Sequence, residues 1–224
     1  MPPHAIIAAV RRGCRILLVV GGVGAAVMAV VVVWLMAATV RPPSPRASID
    51  AWDGGAGPQA GRSIFESCAS CHLADGEGRP DGSIPRLAGQ RSAIVARKLR
   101  RLARGEVDLP VMVGFARSLN DSDIDDVADF LEELPVPVQG TADPRGAELY
   151  AVCAACHGLS GEGNDGLGAP RLCGQHAPYL VRRMEESVAN TRGDADPAMA
   201  AIVAAMAPAD RAAIASFLAS GACR

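Results

Sequence analysis

Two runs of the form Cys-x-x-Cys-His mark the 224-residue chain: Cys68-Ala-Ser-Cys71-His72 and Cys153-Ala-Ala-Cys156-His157. Two thiols at this spacing can add across the vinyl groups of a porphyrin and tether the ring by thioether bonds. The adjacent histidine is then held beneath the iron as its proximal ligand. A redox dithiol does not need the following histidine and would belong to a strand-helix pattern that this sequence lacks. A four-ligand zinc site could draw on both cysteine pairs, yet it leaves the in-step histidines unexplained. The motifs therefore point to two covalently bound haem c groups, with Cys68, Cys71, Cys153 and Cys156 as attachment points and His72 and His157 as axial ligands.

A sixth ligand has to come from downstream. Met112 is the one methionine between the N-terminal apolar run and Met184, and the second copy offers Met184, Met199 and Met206. Aligning the copies pairs Met112 with Met199, 40 and 42 residues after their histidines, and sets Met184 and Met206 opposite the apolar Leu99 and Leu119. Methionine usually packs in cores; its recurrence at one place in both copies favours ligation by Met112 and Met199. A thioether ligand favours Fe(II) and fills the coordination sphere, so the chemistry implied is single-electron transfer without substrate at the metal. A dihaem peroxidase needs one open iron, which this ligand set does not provide.

The elements that position these residues repeat at a spacing of 85 residues. Gly61 and Phe65 match Gly146 and Tyr150. Gly76 and Gly78 match Gly161 and Gly163, and Pro85-Arg86-Leu87-Ala88-Gly89-Gln90 matches Pro170-Arg171-Leu172-Cys173-Gly174-Gln175. After a two-residue insertion, Asp123 and Phe130-Leu131 match Asp210 and Phe217-Leu218. Each copy reads as helical, with helices over about 58–68 and 144–153 leading into the motifs and middle helices over 91–104 and 176–190. Asn120 or Asp121 caps a closing helix through Leu134, and Pro208 opens its counterpart. Between the helices the chain reads as glycine-rich loop, and no strand pattern appears. Gly61 and Gly146 allow the first helix of each copy to approach the last, where Phe65 and Tyr150 can meet Phe130 and Phe217. Pro85 and Pro170 can present a backbone carbonyl to the free nitrogen of His72 and His157. Arg86 and Arg171 can neutralise a propionate or simply be solvated.

Ile16 to Val40 carries no charge over 25 residues and follows Arg11, Arg12 and Arg15. That length suffices to cross a bilayer and exceeds the apolar core of a signal peptide. The arginines place the N-terminus in the cytoplasm, so the chain beyond the apolar run is exported. Pro42, Pro43, Pro45, Gly54 and Gly55 make residues 41–56 a tether. The organisation expected is residues 1–40 as cytoplasmic N-terminus and transmembrane anchor, 41–56 as linker, and haem domains over 57–136 and 137–224. The segment beyond the anchor holds 19 basic against 24 acidic residues, a balance that argues against nucleic-acid binding. Aromatic content of 4% leaves two small domains short of core material, which a large apolar cofactor would supply.

Three of seven cysteines lie outside the motifs. Cys14 precedes the anchor beside arginines. Cys173 and Cys223 have no counterparts in the first copy, and an oxidising compartment allows either a disulfide between them or two separate thiols. Arg97, Lys98, Arg100, Arg101 and Arg104 form a basic stretch. Asp121, Asp123, Asp125, Asp126 and Asp129 form an acidic one. Either run can be a solvated face or a polarised docking surface for a redox partner.

The Pro-Arg-Leu-x-Gly-Gln segments, and the Met-x-x-x-Ala-x-x-Leu-x-x-x-Asp run from Met112, resemble the class I c-type cytochromes and among them the two-domain cytochrome c4 family. The second run, from Met199, has Met206 in place of the leucine. The resemblance covers about Gly57 to Ala222. It implies an all-α fold with an N-terminal transmembrane helix ahead of two tandem class I cytochrome c domains, packed about a pseudo-twofold axis. The function implied is that of an electron carrier rather than an enzyme, anchored by a single pass in a bacterial inner membrane with its haem domains in the periplasm. Its partners would be redox proteins: a quinol-oxidising complex as donor and a terminal oxidase or reductase as acceptor. A haem-bearing electron-entry subunit of a larger complex, such as a cbb3-type oxidase, is the alternative.

Overall fold

The computed structural model describes residues 56–137 and 143–221. The expected anchor, nearly all of the tether, Cys14 and Cys223 lie outside the described residues. Among the described residues, no single helix is long and apolar enough to cross a membrane.

Nine helices succeed one another among the described residues: α1 (Ala56–His72), α2 (Ser92–Ala103), α3 (Pro110–Arg117) and α4 (Asp121–Glu133) in the first half, then α5 (Pro144–Leu149), α6 (Ala151–His157), α7 (Ala177–Ala189), α8 (Pro197–Ala204) and α9 (Pro208–Ala219). The ends follow local chemistry. Asn120 caps α4 by accepting from the Asp123 amide at 2.9 Å, while the Asp123 carboxylate accepts from the Asn120 amide at 3.0 Å. Asp143 and Asp196 cap α5 and α8 ahead of Pro144 and Pro197. Two findings differ from the sequence expectation. Residues 110–117 and 197–204, read as loop, are short helices that carry Met112 and Met199. Pro-Ala-Met-Ala-Ala-Ile-Val-Ala has no polar face, so no amphipathic period announces a helix. The helix leading into the second motif is divided at Tyr150, whereas α1 runs unbroken through the first.

Each half buries its own core. In the first, α1 crosses α4, and Phe65, Ile124, Val127, Phe130 and Leu131 are buried between them. In the second, α5 crosses α9 over Tyr150, Leu180, Met184, Ile214 and Leu218. Glycine sets the distance at both crossings: a methyl on Gly61 would overlap the Asp126 carbonyl, and one on Gly146 the Ala213 carbonyl. This contact brings Phe65 and Phe130 to a ring separation of 5.6 Å, and Tyr150 and Phe217 to 5.7 Å, both tilted as aromatic quadrupoles prefer.

The halves meet through a reciprocal polar exchange. The Gln175 side chain accepts from the Arg86 amide at 2.9 Å and donates to the Arg86 carbonyl at 2.8 Å. Gln90 does the same for Arg171, at 2.9 and 3.0 Å. Each glutamine amide thus satisfies a backbone donor and acceptor that would otherwise be buried unpaired. His176, buried beside Gln175, sets its Nε2 2.7 Å from the Glu77 carbonyl of the first half. Around this centre Arg91 pairs with Asp165, Lys98 with the buried Asp194, and Arg97 donates to the Gly168 carbonyl. Within the first half, Arg100 pairs with Asp121 and Asp125, and Arg101 and Arg104 with Glu106. The basic stretch of α2 is therefore engaged by the molecule itself and is not a free steering patch.

Three outcomes are expected. Gly61→Ala forces a methyl against backbone, costs up to about 3 kcal/mol and lowers the melting temperature of the haem-loaded chain; an unchanged melting temperature would contradict the close crossing. Gln90→Leu with Gln175→Leu strands four buried backbone groups at about 1–3 kcal/mol each, and calorimetry should resolve two separated transitions in place of a coupled one. Burial, chiefly, depresses the His176 pKa, and Arg86 adds to this against the opposing pull of Glu77 and Asp81. A depressed histidine contributes stability that is full above its unfolded value near about 6.5 and lost as pH falls below it. His176→Gln should flatten the loss of stability measured between about pH 7 and pH 5.

Candidate haem sites

The motif cysteines sit in the last turn of α1 and in α6, so both thiols of each pair rise on one side of a helix. All four are free thiols; Cys68, Cys71 and Cys153 are half-buried and Cys156 is exposed. Burial, above all, pushes the Cys68 and Cys153 thiols up from their ordinary value; the Ser67 hydroxyl counters at Cys68, and Cys156 adds to the rise at Cys153. Nothing in that setting favours the thiolate that a redox dithiol or zinc ligand requires. Among the described residues, no three His, Cys, Asp or Glu side chains converge as a metal-binding group.

His72 and His157 end their helices buried, and each ring is oriented by one bond. Nδ1 of His72 donates to the Pro85 carbonyl at 3.1 Å, and Nδ1 of His157 to the Pro170 carbonyl at 2.9 Å. With Nδ1 carrying the proton, Nε2 keeps its lone pair for a metal. Burial lowers both imidazole pKa values, with the carbonyl pulling the other way, so the neutral, ligating form is favoured. The loop that presents each carbonyl is built alike. The Gly76 carbonyl accepts from the Leu87 and Ala88 amides at 2.7 and 3.1 Å, and the Gly161 carbonyl from Leu172 and Cys173 at 2.8 and 3.0 Å. The Gly89 and Gly174 amides then bind the Leu131 and Leu218 carbonyls of the closing helices, both at 2.8 Å. Gly78 has a φ of 67°, and a side chain there would strike the backbone of Ile84 and Pro85. It leaves room for the proline carbonyl to reach the imidazole.

Met112 and Met199 are half-buried on α3 and α8. Met199 borders the second core together with Cys153 and Leu172, whereas Met184 lies fully inside that core and Met206 along its edge. In the first half Met112 borders a separate small cluster of Leu102, Val107 and Ala116, and Cys68 borders the main core, with Leu99 touching both. Arg86 is only 4% exposed; its Nη2 lies 3.6 Å from Glu77, and neither Nε nor Nη2 has a hydrogen-bond partner among the described residues. Arg171 is half-buried and donates its Nε to the Cys173 carbonyl at 3.3 Å. Paired free thiols, an imidazole with its outer nitrogen available, a methionine on a separate helix and a buried guanidinium with free donors form a donor set that suits a haem carrying propionates. Cys173 is buried and disulfide-bonded. Sequence reasoning missed the glutamine exchange and His176. Identical glutamines at one register in both copies were the available signal, because a buried amide must find partners.

Comparison with known proteins agrees. A family model described as Cytochrome c matches residues 58–135 and 144–222. A cytochrome c4 of Pseudomonas aeruginosa is 33% identical over 174 residues, spanning 71% of this chain and 86% of that protein. A thiosulfate dehydrogenase electron acceptor of Stutzerimonas stutzeri is 33% identical over 183 residues, spanning 75% and 82%. The crystal structure of reduced recombinant cytochrome c4 from Pseudomonas stutzeri aligns with a TM-score of 0.65 at 26% identity, over 75% of this chain and 99% of that one. Two such domains imply two covalently bound haem c groups, and the relatives support haem-mediated electron transfer rather than catalysis. By family model, sequence and fold, the chain belongs to the cytochrome c4 family of dihaem class I cytochromes.

Proposed function

We propose that the chain is a membrane-tethered carrier that relays single electrons between respiratory redox proteins on the periplasmic face of a bacterial inner membrane. Residues 1–40 are its single-pass anchor, with the cytoplasmic end marked by Arg11, Arg12 and Arg15. Cys68 and Cys71 hold one ring, and Cys153 and Cys156 the other. His72 and Met112, and His157 and Met199, are the axial pairs. Bound haem supplies a reversible one-electron couple whose potential depends on ligands, burial and nearby charge. The protein orients the imidazoles through Pro85 and Pro170, keeps solvent from the metal with two apolar cores, and places the Arg86 and Arg171 guanidiniums for propionates. Cys173 pairs with Cys223 in this reading, which ties the C-terminus to the loop beside the second ring.

The observation that carries the reading is the repeated arrangement of a buried imidazole, its Nδ1 proton committed to a proline carbonyl, beside two free thiols on the same helix. The thiosulfate dehydrogenase electron acceptor among its relatives bears a name of the same kind as the role proposed here, namely receipt of electrons from another redox protein.

Intact mass and haem absorbance provide the test. The wild-type chain should carry two covalent haems that are low-spin when reduced and do not bind carbon monoxide. Cys68→Ser with Cys71→Ser should lose one haem mass and half the absorbance. Met112→Leu should open one iron to carbon monoxide and leave the other closed. A colourless chain, or a Met112→Leu protein as closed as the wild type, would defeat the ligand assignment.

A further inference from the structure

The two halves differ on the side that bears the cysteines, and the difference concerns what each can dock. In α6, Val152, Ala155 and Cys156 stand at i, i+3 and i+4 on one exposed face. Leu159 comes next, in the turn after the motif. Val152 is 52% exposed and Leu159 86%, values at which large apolar side chains gain nothing from this molecule's own core. Glu148 is exposed one helical turn before Val152, and Glu162 lies beyond Leu159. The Glu162 carboxylate accepts from the Ser160 amide at 2.8 Å, and backbone donors hold its pKa below the usual carboxylate range. The result is an apolar strip with an acidic rim, running past the second thiol of the motif.

The first half has none of this. The 85-residue repeat places Ser67, Ser70 and Ala74 where the second half has Val152, Ala155 and Leu159, and Ser63 where it has Glu148. Glu77, the counterpart of Glu162, is turned to the interface: its side chain faces Arg86, and its carbonyl accepts from His176. The methionine helices do not repeat the contrast. Phe115 and Ile202 are exposed at matching positions, and Val111, 70% exposed, faces solvent beside Met112. The asymmetry belongs to the cysteine side alone.

We propose that electrons pass between this chain and its protein partner at the second half, across the Val152–Ala155–Cys156–Leu159 strip. The partner is a redox protein that presents an apolar contact ringed by lysine or arginine. The apolar centre excludes water where the two proteins touch, and the opposed charges steer the encounter. The first half, polar around its thiols, is left to exchange electrons with the second. This inference rests on the attachment of haem at Cys153 and Cys156.

The test uses the full chain carrying both haems, reduced beforehand, and a lysine-ringed mitochondrial-type cytochrome c as the oxidised probe. Each encounter moves one electron from a ferrous iron of the chain to the ferric iron of the probe. Val152→Ser with Leu159→Ser should lower the second-order rate constant by about tenfold, while Val111→Ser leaves it within about twofold. Oxidation by ferricyanide, which needs no protein docking, should be unchanged in both. Glu148→Gln should flatten the fall in rate with rising ionic strength. An unchanged rate in the double variant, or an equal loss with Val111→Ser, would overturn the proposal. A wild-type chain whose mass shows no haem on the second half would instead remove the cofactor assignment beneath it.

Discussion

A histidine that ends a helix can point its outer nitrogen in many directions unless its inner nitrogen is held. In each half of this chain one backbone carbonyl does the holding, from Pro85 or Pro170. That carbonyl is in place only because the preceding loop folds back on Gly76 or Gly161, and because the Gly89 or Gly174 amide pins the loop to the closing helix. The closing helix, in turn, is fixed against the motif-bearing helix by a crossing too close for any side chain at Gly61 or Gly146. The imidazole orientation is thus the end of a chain of contacts that includes both helices of each core. Disturbing the crossing should be felt at the ligand, several residues and one loop away.

The segment that presents the carbonyl also makes the junction between halves. Arg86 lies one residue after Pro85, and its backbone is clasped by Gln175; Arg171 and Gln90 repeat the arrangement. Ligand orientation and domain apposition are therefore consequences of the same six residues in each copy. Charged groups then add direction to a centre that is otherwise evenly shared. Arg91, Arg97 and Lys98 of α2 and its N-terminal flank reach into the second half. A basic stretch that looked available to a partner is spent internally.

Much of this was legible before the structure. The thiol pairs, the histidines, the proline carbonyls, the close-crossing glycines and the aromatic contacts all follow from residue types recurring at one interval, because the interval removes chance as an explanation. Less legible were features whose chemistry lacks a periodic signature. The helices bearing Met112 and Met199 are short, start at proline and have no polar face, so they read as loop. The destination of α2's charges depends on which residues of the other half lie opposite, and a sequence does not state that. The role of Gln90 and Gln175 was visible only as repetition, since a glutamine side chain looks the same whether it faces water or a buried backbone.

The glutamine exchange has a consequence for how such a chain can arise. Each half carries both sides of the contact: a side-chain amide to offer, and an arginine backbone to receive one. A surface of that kind is self-complementary, and two identical copies of one half would possess everything needed to pair isologously. Covalent linkage of duplicated copies then frees each to drift. Substitutions such as His176 opposite Arg91, or Val152 opposite Ser67, become tolerable because they no longer have to work twice. The junction preserves a symmetric ancestor's dimer contact, while the surfaces away from it record its division of labour.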